Sequence, residues 1–194
     1  QDASVLALDR FRLRDEIEAR IQQHQESERK AAFQRFLLPD GPLETSEEQA
    51  INFKTLRYEP GWRYEGGFQF QKHYFGPPGE LREITPGGAL TEEFKCAQFL
   101  DQLPEVQFWI RNLARKTTSF RLQTSTGWFY PDFLCRLHDG RVVVVEYKGQ
   151  HLYTDAEEKR AVGAVWESRS GGRYRFVMPT SNDFTPILKA VRTA

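Results

Sequence analysis

Three residues with reactive or charged groups follow the most apolar run of the chain. The segment RVVVVEYKGQ, residues 141–150, places four consecutive valines before Glu146, Tyr147 and Lys148. Consecutive valines predict a strand that is buried on both faces. Because side chains alternate along a strand, Glu146 and Lys148 should share one face and Tyr147 the other. Removing a carboxylate and an ammonium from water is costly, so their place at the tip of a buried strand suggests a chemical role.

A second carboxylate is predicted to lie beside Glu146. Asp132 precedes the valine strand, and a hairpin turn is expected at Asp139–Gly140, since Asp-Gly tolerates positive φ. In such a hairpin, residues whose numbers sum to about 279 lie opposite each other, which puts Asp132 within one residue of Glu146. Two carboxylates that close repel each other, and a divalent cation relieves the repulsion. Oxygen ligands favour Mg²⁺ or Mn²⁺, whereas zinc would require His or Cys ligands, and no His or Cys pair here has ligand spacing.

These residue types together predict metal-assisted hydrolysis of a phosphodiester. A cation held by Asp132, Glu146 and the backbone carbonyl of Tyr147 would polarise a phosphoryl oxygen and lower the pKa of bound water. Lys148 would position that water and offset charge on the phosphate. The alternative is a solvated salt bridge, because acids and lysines are common at strand ends.

The segments around this hairpin predict a mixed α/β fold, one central sheet with helices on both faces. Thr91 is expected to cap a helix in TEEFKCAQFLDQL. Strand-like runs follow in VQFWIRN, SFRLQTS, WFYPDFLCRL and RVVVVEYK. A helix in TDAEEKRAVGAVWESR, a strand in GGRYRFVM and a closing helix in DFTPILKAVRT complete the order, while residues 51–75 are expected to form short strands and turns.

The N-terminal part is predicted to be a helical arm that runs to about residue 38. Four aliphatic residues recur at seven- and four-residue steps and form its apolar stripe: Leu6, Leu13, Ile17 and Ile21. Pro and Gly in LPDGPLETSEEQ end the helix. We therefore expect an arm or linker at residues 1–44 and a main domain at residues 45–194.

Composition limits the partners of these 194 residues. The formal net charge is zero, so nucleic acid could be bound only through a local basic patch. Cys96 and Cys135 lie far apart among apolar residues and are expected to be buried free thiols in a reducing compartment, which suggests the cytoplasm. No apolar run reaches membrane length and no signal peptide opens the chain, so no membrane partner is expected.

Several segments carry a resemblance to known nucleases. PD at residues 131–132 followed by EYK at residues 146–148 resembles the signature of the PD-(D/E)xK nuclease superfamily. Three longer runs resemble the C-terminal nuclease domain of type III restriction enzyme Res subunits and related helicase–nucleases: EEFKCAQFLDQLPEVQFWIRNL, SFRLQTSTGWFYPDFLCRLHDGRVVVVEYKG and EEKRAVGAVWES. The resemblance covers residues 68–178 and implies a restriction-endonuclease-like core that cuts double-stranded DNA with Mg²⁺.

The resemblance also implies roles for individual residues. Asp132, Glu146 and Lys148 keep the roles given above, and the helix acid of the family falls on Glu93, with Glu92 as the alternative register. Res subunits carry a motor, but no G-x-x-x-x-G-K-[S/T] loop occurs here. Either an ATP-dependent motor lies upstream in a longer polypeptide or this nuclease works alone. The Gln at the start and the arm without a partner favour the upstream motor. Cutting both strands with one metal centre would require a dimer or a partner subunit.

A basic segment, residues 106–128, is the expected DNA-facing rim. It contains no acid and four basic residues: Arg111, Arg115, Lys116 and Arg121. Lys159 in the following helix is a further candidate for a phosphate contact. It is equally open that the rim charges pair with acids elsewhere. A lysine at the position of Lys159 more often pairs along its helix with an acid such as Asp155. Trp109, Trp128 and Trp166 are expected to belong to the core rather than to stack on bases.

Two other functions stay open. The chain could be a catalytically silent DNA-binding module with a nuclease fold, although the presence of all the expected side chains argues against lost activity. It could also be a scaffold or docking module whose arm is the working surface. In that case Asp132, Glu146 and Lys148 would form a structural ion network.

Overall fold

The computed structural model describes residues 3–36, 51–147 and 153–193. The chain forms two compact units, one that contains the N-terminal helix and one that contains most of the rest. Helix α1, Ala3–Phe36, is a single uninterrupted helix of 34 residues. This confirms the predicted helical arm.

Several described apolar side chains of helix α1 are exposed. Four large apolar residues are about half or more exposed: Phe11, Leu13, Ile17 and Ile21. Three of them belong to the predicted apolar stripe. Within the described ranges, no helix combines the length and the apolar character needed to cross a membrane.

The main body alternates helices and strands as predicted. Its elements are α2 (Glu92–Gln102), β1 (Val106–Arg111), β2 (Leu122–Gln123), β3 (Trp128–Phe129), β4 (Phe133–Leu137), β5 (Val142–Val145), α3 (Tyr153–Ser168), β6 (Tyr174–Val177) and α4 (Thr185–Arg192). Four strands form a mixed sheet in the order β1-β4-β5-β6, and β2 and β3 form a separate two-stranded ribbon. In the larger sheet, β4 is antiparallel to β1 and β5, and β6 is parallel to β5. The α/β class with helices around one mixed sheet is confirmed.

Two segments differ from the prediction. WFYPDFLCRL was expected to be one strand but forms β3 and β4, which belong to different sheets. Pro131 lies between them and has no N–H to donate to a ladder, so the pairing changes there. Residues 51–90 contain isolated bridges rather than regular strands, among them one between His73 and Trp109.

Helices cover both faces of the large sheet. Val143 and Val145 belong to one core cluster with Phe94 of α2 and Ile187 of α4. The other two valines of β5 are also buried and, by strand alternation, face the opposite side. On that side α3 packs on β6. Burial on both faces is the reason why β5 is an uninterrupted valine run.

The outer edge of β1 is covered by the segment at residues 71–74. Trp109 exchanges backbone hydrogen bonds of 2.9 Å with this segment on both of its polar groups. The buried carboxylate of Asp101 accepts hydrogen bonds from the backbone N–H of Gln71 (2.9 Å) and Lys72 (2.8 Å) and from Nε1 of Trp109 (2.8 Å). These bonds fix the path of β1, which ends at Arg111.

Candidate active site

The hairpin of β4 and β5 brings two carboxylates to its open end. Phe133 pairs with Val145, so Asp132 and Glu146 form the next pair outward, within the one residue allowed by the prediction. The backbone N–H of Glu146 continues the ladder to β6 with a hydrogen bond of 3.0 Å. The N–H of Tyr147 instead donates to Oδ2 of Asp132 at 2.7 Å. The Asp132 side chain therefore ends the ladder in place of a backbone carbonyl.

Glu146 and Tyr147 point to opposite faces of the sheet, as predicted. Tyr147 belongs to the core cluster beneath α2 and α4, and its hydroxyl accepts a hydrogen bond of 2.8 Å from the backbone N–H of Asn182. Glu146 is only 6% exposed and accepts a hydrogen bond of 2.9 Å from Nζ of Lys159 in α3. The backbone carbonyl of Tyr147, predicted as a ligand, follows Glu146 at the same strand end. Lys148 lies outside the described residues.

The environment of Glu146 raises the pKa of its carboxyl group. Burial raises the pKa of Glu146 to about 8, the neighbouring Asp132 carboxylate raises it as well, and Lys159 opposes both. The raised pKa favours the protonated form of Glu146. A buried carboxyl beside a second carboxylate is a place where a divalent cation can replace a proton.

Arg111 belongs to this site. Its guanidinium donates to Oδ1 of Asp132 at 2.8 Å and to Oε2 of Glu93 at 2.6 Å. It also lies 5.0 Å from the centre of the Phe133 ring, and its side chain is 12% exposed. Its charge is paired with two acids, which was the alternative left open for the basic segment, and a DNA contact at Arg111 stays a prediction.

Glu93 is the acid of α2 that reaches this network. Thr91 caps the helix as predicted, because its hydroxyl accepts the N–H of Phe94 at 3.1 Å. In the first turn, Glu93 rather than Glu92 pairs with Arg111. Burial raises the pKa of Glu93, Arg111 lowers it, and Asp132 raises it again. Arg111 thus lies between Glu93 and the hairpin carboxylates.

His73 supports Arg111 from the edge of the sheet. Its Nε2 accepts the backbone N–H of Arg111 at 3.1 Å, and its Nδ1 donates to the carbonyl of Gly76 at 2.7 Å. Burial lowers the pKa of His73 to about 4, so the ring is neutral, and the two bonds assign its tautomer. Sequence reasoning missed His73. No motif marks it, because both of its partners are backbone groups.

Lys159 is the described ammonium of the site. Its Nζ lies 2.9 Å from Oε1 of Glu146 and 4.7 Å from the centre of the Phe129 ring. The alternative pairing with Asp155 involves a side chain outside the described residues. The sequence signal for Lys159 is its place early in the helix that follows β5, because such a helix begins near the end of the preceding strand.

The remaining basic residues of the predicted rim behave differently from Arg111. Arg115 is exposed and Lys116 is partly exposed, and neither forms an ion pair with another described residue. The loop that carries them is closed by buried Asn112, whose amide donates to the carbonyls of Phe120 and Pro131, both at 2.8 Å. Arg121 lies over the ring of an exposed tryptophan.

The aromatic and sulfur predictions have mixed outcomes. Trp109 and Trp166 are buried, as predicted, but Trp128 is 50% exposed, so its assignment to the core was wrong. Cys96 and Cys135 are buried free thiols, as predicted.

Among the described residues, the site offers two adjoining carboxylates for a cation. Asp132 and Glu146 are hard oxygen ligands of the kind Mg²⁺ and Mn²⁺ prefer, and Glu146 carries an exchangeable proton. Across the part of the chain that the structure describes, however, no group of three His, Cys, Asp or Glu side chains is suited to hold a metal.

Comparison of this chain with family models, curated proteins and solved structures gave no match.

Proposed function

We propose that the chain hydrolyses DNA phosphodiester bonds with Mg²⁺, for which Mn²⁺ can substitute. The observation that carries the proposal is the buried pair of Asp132 and Glu146 at the end of the β4–β5 ladder, where the pKa of Glu146 is raised to about 8. A carboxyl kept from ionising in a structural position would reduce stability without benefit. Such perturbed groups concentrate at sites that bind ions or transfer protons.

Each residue of the site has a role in this proposal. Asp132, Glu146 and the Tyr147 carbonyl would hold the cation, which when bound acts as a Lewis acid and lowers the pKa of water. Glu146 would release its proton as the cation binds. Arg111 would orient Asp132 and Glu93, and Lys148 would position the attacking water. Lys159, released from Glu146 by the cation, would be free to contact a phosphate.

Substrate binding would rely on a local patch, because the net charge is zero. Arg115, Lys116 and Arg121 are the candidates, since their charges are not neutralised by described acids. The order α2, β1, β4, β5, α3, β6 supports the restriction-endonuclease-like core that the resemblance implies. The proposal includes double-stranded DNA as substrate, an upstream ATP-dependent motor, a dimer or partner subunit for cutting both strands, and a cytoplasmic location.

A second candidate is a catalytically silent DNA-binding or docking module. Arg111 favours it, because a guanidinium already pairs with Asp132 and Glu93 where a nuclease would gather acids around a cation. In this case the network of Arg111, Asp132, Glu146 and Lys159 would be structural.

A plasmid-nicking assay with Mn²⁺, Mg²⁺ or EDTA separates the two candidates. We expect cation-dependent nicking that falls at least about a hundredfold in Asp132→Asn, Glu146→Gln and Lys148→Ala. Glu157→Gln, an exposed acid on α3, is the matched control and should nick at the normal rate. Nicking that survives in the three variants would reject the site. Absence of nicking in every lane, together with no calorimetric binding of Mn²⁺, would leave the silent module.

A further inference from the structure

The ribbon of β2 and β3 has one buried face and one exposed face. Leu122 pairs with Phe129, and both are buried. Strand alternation therefore directs their neighbours outward, so that Arg121, Trp128 and Tyr130 share the other face. Trp128 is 50% exposed there, which is unusual for the side chain with the largest apolar surface.

Arg121 contacts the Trp128 ring and also reaches Tyr130. The Arg121 guanidinium lies 4.1 Å from the centre of the indole, within the range of a cation–π contact. The same guanidinium lies 3.5 Å from the hydroxyl of Tyr130. On the exposed face of the ribbon, Trp128 is therefore in contact with a cation and is not an isolated apolar residue.

The ribbon adjoins the candidate active site. The ring of Phe129, on the buried face, lies 4.7 Å from Nζ of Lys159, which pairs with Glu146 at 2.9 Å. The loop that carries Arg115 and Lys116 leads into β2. Trp128 is next to Phe129 in β3 and lies on the outer face of the same ribbon.

We infer that Trp128, with the Arg121 guanidinium over its ring, is a stacking platform for an unpaired base of DNA beside the candidate cleavage site. This inference rests on the proposed function and extends it to the form of the substrate. Aromatic rings stack on any base through its π-face, and arginine adds a charged contact. A base within a duplex already has neighbours on both of its faces, so the platform selects DNA with a single-stranded segment, such as a fork or a flap.

Fluorescence anisotropy with two labelled DNAs, in EDTA so that nothing is cut, tests the inference. One DNA is a fork with unpaired thymidine arms, and the other is a blunt duplex of equal length. We expect Trp128→Ala to weaken fork binding about tenfold and to leave duplex binding nearly unchanged. Trp128→Phe should retain most of the fork affinity. Trp62→Ala is the matched control, because Trp62 is 48% exposed, and it should bind both DNAs normally.

The outcomes keep this inference separate from the nuclease proposal. Three results overturn the stacking platform. The first is equal fork affinity in Trp128→Ala and the wild type, and the second is an equal loss of fork affinity in Trp128→Ala and Trp62→Ala. The third is a wild type that does not bind the fork. Fork binding that depends on Trp128, in a chain that neither nicks DNA with Mn²⁺ nor binds Mn²⁺, supports the platform and rejects the nuclease. Cation-dependent nicking, with fork binding unchanged in Trp128→Ala, supports the nuclease and rejects the platform.

Discussion

An arginine forms an ion pair at each end of the β4–β5 hairpin, Arg141 at the turn end and Arg111 of β1 at the open end, but the two arginines differ in what they do. At the turn end, Arg141 donates to the carbonyls of Ala190 at 3.0 Å and Val191 at 2.9 Å, and also to that of Thr193. These groups end α4 and have no partner within the helix. Arg141 also pairs with Asp139 at 2.7 Å. The turn end therefore closes a helix and a hairpin at once.

At the open end, burial raises the pKa of two carboxyls near the arginine, Glu93 and Glu146. Hydrogen bonds with Arg141 lower the pKa of Asp139, so ionisation of Asp139 favours the native state. Burial raises the pKa of Glu146 to about 8 and raises that of Glu93 as well, so ionisation of these groups opposes the native state. The difference indicates that the turn end is arranged for stability, whereas the open end sacrifices stability for a poised carboxyl pair.

The largest expected effect on stability comes from the turn end. Arg141→Ala removes the donors to three carbonyls and to Asp139, and we expect the free energy of unfolding to fall by about 2 to 4 kcal/mol. Urea denaturation measures the change. The nicking rate per folded molecule should stay at the wild-type value, because Arg141 is at the opposite end of the hairpin from the carboxylates.

Arg192→Ala is the control for this prediction. Arg192 is 60% exposed and pairs with Glu105 at 2.9 Å, an ion pair of the kind that contributes less than about 1 kcal/mol. Comparable destabilisation by the two substitutions would mean that Arg141 has no special place at the turn end, and the contrast between the two ends would fail.

A smaller effect is expected at the open end when the pH falls. Burial lowers the pKa of His73 to about 4, below its usual value of 6.5, so the unfolded chain binds the proton more readily than the native one. The contribution of neutral His73 is complete above pH 6.5 and is lost as the pH falls toward 4. Between pH 7 and pH 5 we expect about 2 kcal/mol of lost stability from this residue.

Urea denaturation at both pH values, in the wild type and in His73→Gln, measures this loss. The variant cannot take up the proton, so its stability should change less with pH than that of the wild type. His138→Gln is the control, since His138 is exposed and should not alter the pH dependence. An identical pH dependence of stability in His73→Gln and the wild type would mean that neutral His73 does not stabilise the open end.

Local patterns were sufficient to predict the carboxylate pair. The Asp-Gly turn and strand alternation fix which residues of a hairpin face each other, so Asp132 and Glu146 could be placed within one residue from spacing alone. The helix order and the α/β class follow from similar local patterns. In each of these cases the partners are close in sequence or belong to one regular element.

Arg111 and Trp128 could not be placed in this way. Arg111 meets Glu93, 18 residues away, only because α2 packs on β1, and it meets Asp132, 21 residues away, only because β1 lies beside β4. Trp128 depends on the break at Pro131, which assigns it to a separate ribbon whose outer face is exposed. Spacing along the chain contains neither the sheet order nor the position of that ribbon.

The smallest expected effect is the release of a proton when Mn²⁺ binds. It would show whether the open end exchanges a proton for a cation. With its pKa raised to about 8, Glu146 is mostly protonated at pH 7. Binding of Mn²⁺ should therefore release about one proton, because only the carboxylate is a ligand. Calorimetry in two buffers with different ionisation enthalpies measures the release. The apparent affinity should rise about tenfold for each pH unit below 8 and level off above it.

The two ends of the hairpin supply matched variants for this measurement. Glu146→Gln should abolish the proton release and the pH dependence, while Asp139→Asn should leave both unchanged because Asp139 lies at the turn end. Binding of Mn²⁺ without proton release would mean that the cation does not engage Glu146. Absence of binding in the wild type would mean that Arg111 and Lys159 already neutralise the carboxylates, and the open end would then be a structural network like the turn end.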